Sequence, residues 1–172
     1  EEANILRKNY WKDHGTTLRG LMVEHSVDPH AFLEKVHDFD ISDTPACSVI
    51  AEYIEYLPGR KFIFTNAPRI FAERMTQQLG IGRHFEKIFT IEDANFLPKP
   101  HIAPYHEVIE RFKFDPTRAC MFEDMAVNLE PAASLGMTTV WLHGKNPADH
   151  AHVHHKEKKL SDWLQKTIRK NT

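Results

Sequence analysis

Glu123 and Asp124 stand side by side after Ala119-Cys120-Met121-Phe122, an apolar run with the character of a buried strand. Two neighbouring carboxylates at the open end of a strand repel unless something positive faces them. Asn128 follows one helical turn later. Two acids and an amide form an oxygen donor set suited to a hard cation, and Mg²⁺ characteristically takes few carboxylates, with water and phosphate completing its shell. Capping of the following helix by acids is the competing explanation. It accounts well for one acid and poorly for two.

Two further strand ends carry reactive groups. Lys99 lies in Leu97-Pro98-Lys99-Pro100, where flanking prolines stiffen the backbone. An ammonium held on such a loop can neutralise a phosphate or a carboxylate nucleophile; an isolated lysine is otherwise a solvated loop residue. Phe64-Thr65-Asn66 closes another apolar run. A hydroxyl with the backbone N–H groups of the next turn makes a neutral cradle for an anionic oxygen. The same residues are also ordinary turn formers.

The elements that must present these groups follow from periodicity. Residues 1–43 are helical in pattern. Ile5, Leu6, Tyr10 and Trp11 share a face at helical spacing, and Gly15 interrupts the pattern. Thr16 or Thr17 caps a second helix through Leu18, Leu21 and Met22. Asp28-Pro29 starts a third, with Phe32, Leu33 and Val36 inward. From residue 44 onward the pattern changes to alternating helix and strand. Helices are predicted near 45–57, 68–79, 102–112 and 126–135, with strands at 61–65, 87–91, 119–122 and 138–142. The fold class is therefore α/β, with a parallel sheet flanked by helices, and ligands of such sheets bind beyond the carboxyl ends of the strands. Residues 1–43 read as a small all-helical cap and residues 44–172 as the core.

Composition narrows the function. The chain has 172 residues, 41% of them hydrophobic, and a net charge of −2. No basic surface suggests nucleic acid or an anionic membrane. No apolar run approaches the roughly 20 residues of a membrane helix. Cys47 and Cys120 sit in apolar contexts without paired spacing, which favours a reduced, cytoplasmic setting over a disulfide framework. The opening Glu1-Glu2-Ala3-Asn4 lacks Met, carries no signal-peptide pattern and reads as the inside of a helix.

Thr65, Lys99 and Glu123-Asp124, in that order, resemble the second, third and fourth motifs of the haloacid dehalogenase (HAD) superfamily of phosphatases. The stretches "YWKDHGTTLRGL" (10–21), "VHDFD" (36–40) and "MFEDMAVNLEPAASLGMTTVWL" (121–142) resemble its pyrimidine 5′-nucleotidase branch. The resemblance covers nearly the whole chain. It implies a Rossmann-like HAD core with a helical cap closing over the substrate. It also implies a Mg²⁺-dependent phosphomonoesterase acting on a small phosphorylated metabolite, a pyrimidine 5′-nucleotide (UMP or CMP). Thr65, helped by the Asn66 turn, would hydrogen-bond the transferring phosphoryl group. Lys99 would balance the charge of nucleophile and phosphate. Glu123 and Asp124 would hold Mg²⁺, directly or through water, and Asn128 would support them. Nucleotide, sugar phosphate and phosphoglycolate phosphatases share these core motifs.

The first motif of that family is an apolar strand ending Asp-x-Asp-x-Thr before the cap. Its first Asp attacks phosphorus and its second is the general acid/base. Residues 1–172 do not contain it in that context. The expectation is that the nucleophile lies upstream of Glu1, and that residues 1–172 alone are inactive. The alternative is a non-catalytic nucleotide- or partner-binding relic. "DFDIS" (38–42) spells Asp-x-Asp-x-Ser, but the residues before it have helical spacing rather than that of a buried strand.

The cap residues Tyr10, His14, Thr16, Thr17 and Arg19 are candidate substrate contacts, with helix packing and capping as the other explanation. "HAHVHH" (150–155) offers closely spaced histidines. No acid or Cys completes a metal set at good spacing, so a surface linker before the last helix is expected.

Overall fold

The computed structural model describes residues 1–143 and 149–171. The first three helices are α1 (Glu2–His14), α2 (Thr17–His25) and α3 (Pro29–His37). Gly15 ends α1 in the left-handed region at φ 82°, a conformation that costs a residue with a Cβ far more. Thr16 caps α2 by accepting the Arg19 N–H at 3.1 Å, and Asp28 caps α3 by accepting the Ala31 N–H at 2.9 Å.

Burial within this unit is shallower than the periodicity suggests. Tyr10, Leu18 and Leu33 are buried, but Ile5, Leu6, Trp11 and Val36 are exposed. The apolar positions of α1 are spread around the helix, so a single packed flank cannot cover them. Tyr10 makes the α1–α2 contact, and Gly20 permits it: a Cβ at Gly20 would lie 2.4–2.6 Å from the Tyr10 side chain.

The remaining elements alternate as expected. They are α4 (Ser48–Tyr56), β1 (Phe62–Phe64), α5 (Arg69–Gln78), β2 (Lys87–Phe89), α6 (Ile102–Phe112), β3 (Cys120–Glu123), α7 (Leu129–Ser134), β4 (Thr138–Leu142), β5 (His155–Glu157) and α8 (Leu160–Asn171). All strand pairs are parallel. They form two sheets, β1–β2 and β3–β4–β5, rather than one. Ile63 pairs with Ile88, and Glu123 pairs with Trp141.

Side chains join the two sheets where the backbone does not. Phe64 of β1 packs with Tyr105, Ala132, Met137 and Met121, a cluster shared with β3. A neighbouring cluster of Phe89, Val108 and Phe112 packs against Phe62 and Phe64. Leu18 and Leu33 pack with Ile91, Phe32 and Phe96, docking α2 and α3 onto the segment after β2.

The histidine-rich segment is not a free linker. It leads into β5, which pairs with β4, and its side chains are engaged. The Thr139 hydroxyl donates to the His152 carbonyl at 2.7 Å, and His154 Nδ1 accepts the Thr139 N–H at 3.0 Å. β5 has the sequence His-Lys-Glu, with no apolar alternation. Its strand character comes from pairing with β4 rather than from its own residues. No cluster of three or more His, Cys, Asp or Glu side chains able to hold a metal occurs among the described residues. No helix among them is long and apolar enough to cross a membrane.

Candidate active site

The carboxyl ends of β1 and β3 converge on Lys99. The lysine is 7% exposed. Its Nζ donates to the Phe64 carbonyl at 3.1 Å and to Glu123 Oε2 at 2.5 Å, and lies 5.0 Å from the Phe64 ring centroid. An ammonium has three hydrogens. The structure gives acceptors to two, leaving one for a ligand. Asn66 fixes the lysine's backbone from both sides: its Oδ1 accepts the Lys99 N–H at 2.9 Å, and its Nδ2 donates to the Lys99 carbonyl at 3.3 Å. The Asn66 amide is thus committed to Lys99, and what remains for a ligand at that position is the main chain.

Thr65 sits between them. Its N–H donates to the Phe89 carbonyl at 2.9 Å, continuing the parallel pairing past β1. Its Oγ1 accepts the Ala67 N–H at 3.0 Å. That bond shapes the turn and leaves the hydroxyl hydrogen available to donate.

The two acids are unequal. Glu123 ends β3, and its side chain is 9% exposed, against 6% for that of Lys99. Its Oε1 accepts Asn128 Nδ2 at 3.2 Å and the Met125 N–H at 3.4 Å. Burial pushes its carboxyl upward, but the Lys99 charge and hydrogen bonds from Asp124, Lys99 and Asn128 prevail, so it sits below the usual glutamate range. Asp124 is exposed. The hydrogen bond it shares with the Glu123 carboxylate, then partial burial and the Glu123 charge, push its pKa up.

This asymmetry bears on metal binding. Glu123 is already satisfied by a lysine, an amide and a backbone N–H. Asp124 faces outward beside a like charge, which a cation would relieve. A donor set of oxygens only, incomplete in protein ligands, fits Mg²⁺ with water or substrate filling the remaining positions.

Helices α1 and α2 reach this site through one turn. A Cβ at Gly15 would lie 3.4 Å from Pro98 Cγ and 3.8 Å from His101 Nε2, so the α1–α2 turn rests on the Lys99 loop. His14 is half-buried and pairs with Glu24 at 3.4 Å. Thr17 and Arg19 are half-buried on the first turn of α2. Tyr10 points inward, with its hydroxyl 2.6 Å from His25 Nε2, so its ring is not presented to a ligand.

Asp38 and Asp40 lie elsewhere. Arg74 of α5 donates to the His37 and Phe39 carbonyls, and Gln78 donates to those of Ser42 and Thr44. The 38–44 segment therefore runs along the middle and end of α5. Asp40 accepts the Ser42 N–H and hydroxyl, both at 2.9 Å.

Two groups at the site escaped the sequence reading. The Phe64 carbonyl is main chain and leaves no motif. Tyr105 is fully buried and donates from its hydroxyl to the Asn128 carbonyl at 2.5 Å. A buried tyrosine needs a partner for its hydroxyl, which is a usable hint, but the partner's identity requires the fold.

Comparison with known proteins adds the following. A model described as haloacid dehalogenase-like hydrolase matches residues 2–136. An L-2-haloacid dehalogenase from Xanthobacter autotrophicus, solved with chloropropionic acid covalently bound, is 13% identical, with 96% of this chain and 83% of that one covered at a TM-score of 0.66. A HAD phosphatase from Thermococcus onnurineus is 18% identical, with 86% and 68% covered and a TM-score of 0.60. A Bacillus subtilis protein described as a HAD-hydrolase, YfnB, bound to magnesium, is 18% identical, with 98% and 73% covered and a TM-score of 0.62. At these identities the structures share the fold.

Proposed function

The chain belongs to the haloacid dehalogenase-like hydrolase family, and on that premise we propose that it is a Mg²⁺-dependent phosphomonoester hydrolase. Its proposed substrates are pyrimidine 5′-nucleotides, UMP and CMP, hydrolysed through an aspartyl-phosphate. The observation that carries this reading is the buried Lys99–Glu123 pair beside the outward-facing Asp124. Displacing a halide calls for no divalent cation. Two adjacent acids, one of them exposed, are best explained by one, and phosphoryl transfer uses it.

The residues divide the work electrostatically. The Thr65 hydroxyl and the backbone N–H groups of the Asn66 turn hydrogen-bond the phosphoryl oxygens. Lys99 directs its remaining hydrogen at the phosphate and the attacking carboxylate, and Asn66 keeps it there. Asp124 would be the principal protein ligand for Mg²⁺, with Glu123 beside it and Asn128 orienting Glu123. Bound Mg²⁺ offsets the negative charge on the phosphoryl oxygens. The cap turn at His14–Arg19 sits on the Lys99 loop, where the nucleoside would extend.

The attacking carboxylate belongs to an Asp-x-Asp-x-Thr strand outside residues 1–172. Among the described residues β1 pairs only with β2, and β3 only with β4, which leaves one edge of each without a paired strand. A non-catalytic nucleotide- or partner-binding relic is the second reading, favoured by the lack of an attacking side chain among these groups. The full gene product should hydrolyse UMP and CMP faster than purine nucleotides and sugar phosphates, and EDTA should abolish turnover. Mass-verified 1–172 should be inactive. Equal rates across the panel would remove the nucleotidase assignment, activity in EDTA the metal, and robust turnover by 1–172 the external nucleophile. An inactive full product would favour the relic.

A further inference from the structure

The short segment carrying the acids is held by its carbonyls at alternate positions. Trp141 Nε1, from β4, donates to the Asp124 carbonyl at 2.9 Å. His152 Nε2 lies 2.8 Å from the Ala126 carbonyl. A carbonyl can only accept, so Nε2 carries the hydrogen. Tyr105, from α6, donates to the Asn128 carbonyl at 2.5 Å. Three side chains from three separate parts of the fold thus grip residues 124, 126 and 128.

His152 is itself anchored. Fully buried Thr139 donates from its hydroxyl to the His152 carbonyl at 2.7 Å and accepts the His154 N–H at 3.0 Å. The histidine-rich segment therefore ties the acid-bearing loop to β4. Its other notable side chain, His150, packs against Trp141 with ring centroids 5.3 Å apart.

These bonds matter because of what Asp124 lacks. Glu123 is fixed by its own side-chain partners. Asp124 is exposed, and apart from its hydrogen bond with Glu123 its carboxylate is placed by the backbone beneath it. A ligand of that kind is only as well placed as its loop, and outer groups that orient metal ligands commonly carry much of the affinity. Packing alone does not require the donors: Tyr105 stacks edge-on against Phe64 at 5.0 Å, a contact phenylalanine would keep.

We infer that Tyr105, Trp141 and His152 are positioning residues that preorganise the Glu123–Asp124 loop for a divalent cation. The inference rests on the Mg²⁺ reading above and names what makes that site rigid.

The test is Mg²⁺ affinity measured calorimetrically without substrate, on folded protein verified by circular dichroism. Tyr105→Phe, Trp141→Phe and His152→Ala should each raise the Kd about tenfold or more. Hydrogen exchange of amides 124–128 should quicken in the same variants. His152→Gln retains an N–H donor and should restore most of the affinity lost in His152→Ala. Kd values within twofold of wild type in all three single variants, while Asp124→Asn abolishes binding, would overturn the clamp and leave the metal site standing. Failure of glutamine to rescue would remove His152 from it. Absence of any Asp124-dependent Mg²⁺ binding in the wild type would overturn the metal reading and this inference together.

Discussion

The two sheets contribute opposite halves of one site. The β1–β2 sheet ends in a hydroxyl, and Asn66 at its end holds a lysine loop. The β3–β4–β5 sheet ends in two acids whose loop is gripped from outside by a tryptophan, a histidine and a tyrosine. The first half is built by bonds among the groups that could themselves meet a phosphate. The second depends on donors that never touch the ligand. What crosses between them is a side chain: Lys99 reaches the Phe64 carbonyl on one side and Glu123 on the other. Such a site gains its charge balance from a pair, so removing either partner harms both halves.

The largest effect expected is therefore at Lys99. Both side chains of the pair are more than nine-tenths buried. Lys99→Met strands the Glu123 carboxylate, and leaving a buried charge unpaired costs about 3–5 kcal/mol. Phosphatase turnover should also fall on the order of 10²–10³-fold, the usual loss for one preorganised charge-stabilising donor. Adding Glu123→Gln should recover much of the stability and none of the turnover. The pH dependence has a definite sign. The Lys99 charge holds Glu123 below its ordinary value despite burial, so the pair stabilises the protein above that value and loses its effect as pH falls through the lower folded pKa. The stability deficit of Lys99→Met should narrow in acid. Denaturant midpoints for both variants across pH measure this, and a constant deficit would break the pairing argument.

The second expectation separates the two acids. Asp124→Asn should weaken Mg²⁺ binding at least tenfold and leave the melting temperature nearly unchanged, because Asp124 is exposed and an amide of the same shape removes no buried contact. Glu123→Gln should show the reverse emphasis, with lower stability and a smaller loss of Mg²⁺ affinity. Calorimetry and thermal unfolding on the same preparations decide it. Equal phenotypes would mean that the acids act as one unit and that the asymmetry of their partners has no functional weight.

That asymmetry shows where sequence reading stops. Thr16, Asp28 and Gly15 were legible because caps act within three or four residues. β1 to β4 were legible because each is an apolar run. β5 was not, since His155-Lys156-Glu157 becomes a strand only by pairing with β4. The exposure of Ile5, Leu6 and Trp11 was in part legible, because at the helical period these positions do not share one flank of α1. Thr65, Lys99, Glu123 and Asp124 could be named from their types and strand-end positions. The Lys99–Glu123 partnership spans a gap between sheets, and no local pattern records it.

The smallest effect is expected at the segment that mimics a nucleophile motif. The two-sheet account would break if Asp38 or Asp40 attacked the substrate. Asp40 is exposed, and its carboxylate is turned back on its own chain, accepting the Ser42 N–H and hydroxyl. Those bonds hold it below the usual aspartate range, the backbone one foremost, which suits a turn and weakens a nucleophile. Its neighbours are tethered to Arg74 and Gln78 of α5. That helix begins at Arg69, just after the Thr65–Asn66 turn. At a rise of 1.5 Å per residue, Arg74 and Gln78 lie about 8 and 14 Å along the axis from its start, away from Lys99. Asparagine can accept the same turn bonds. Asp38→Asn and Asp40→Asn should therefore change turnover by less than about twofold and leave thermal unfolding unaltered. A tenfold loss with wild-type melting would bring the 38–42 segment to the reacting phosphate. The site would then draw on a third region of the molecule, and Lys99 could no longer be regarded as the bridge between two halves.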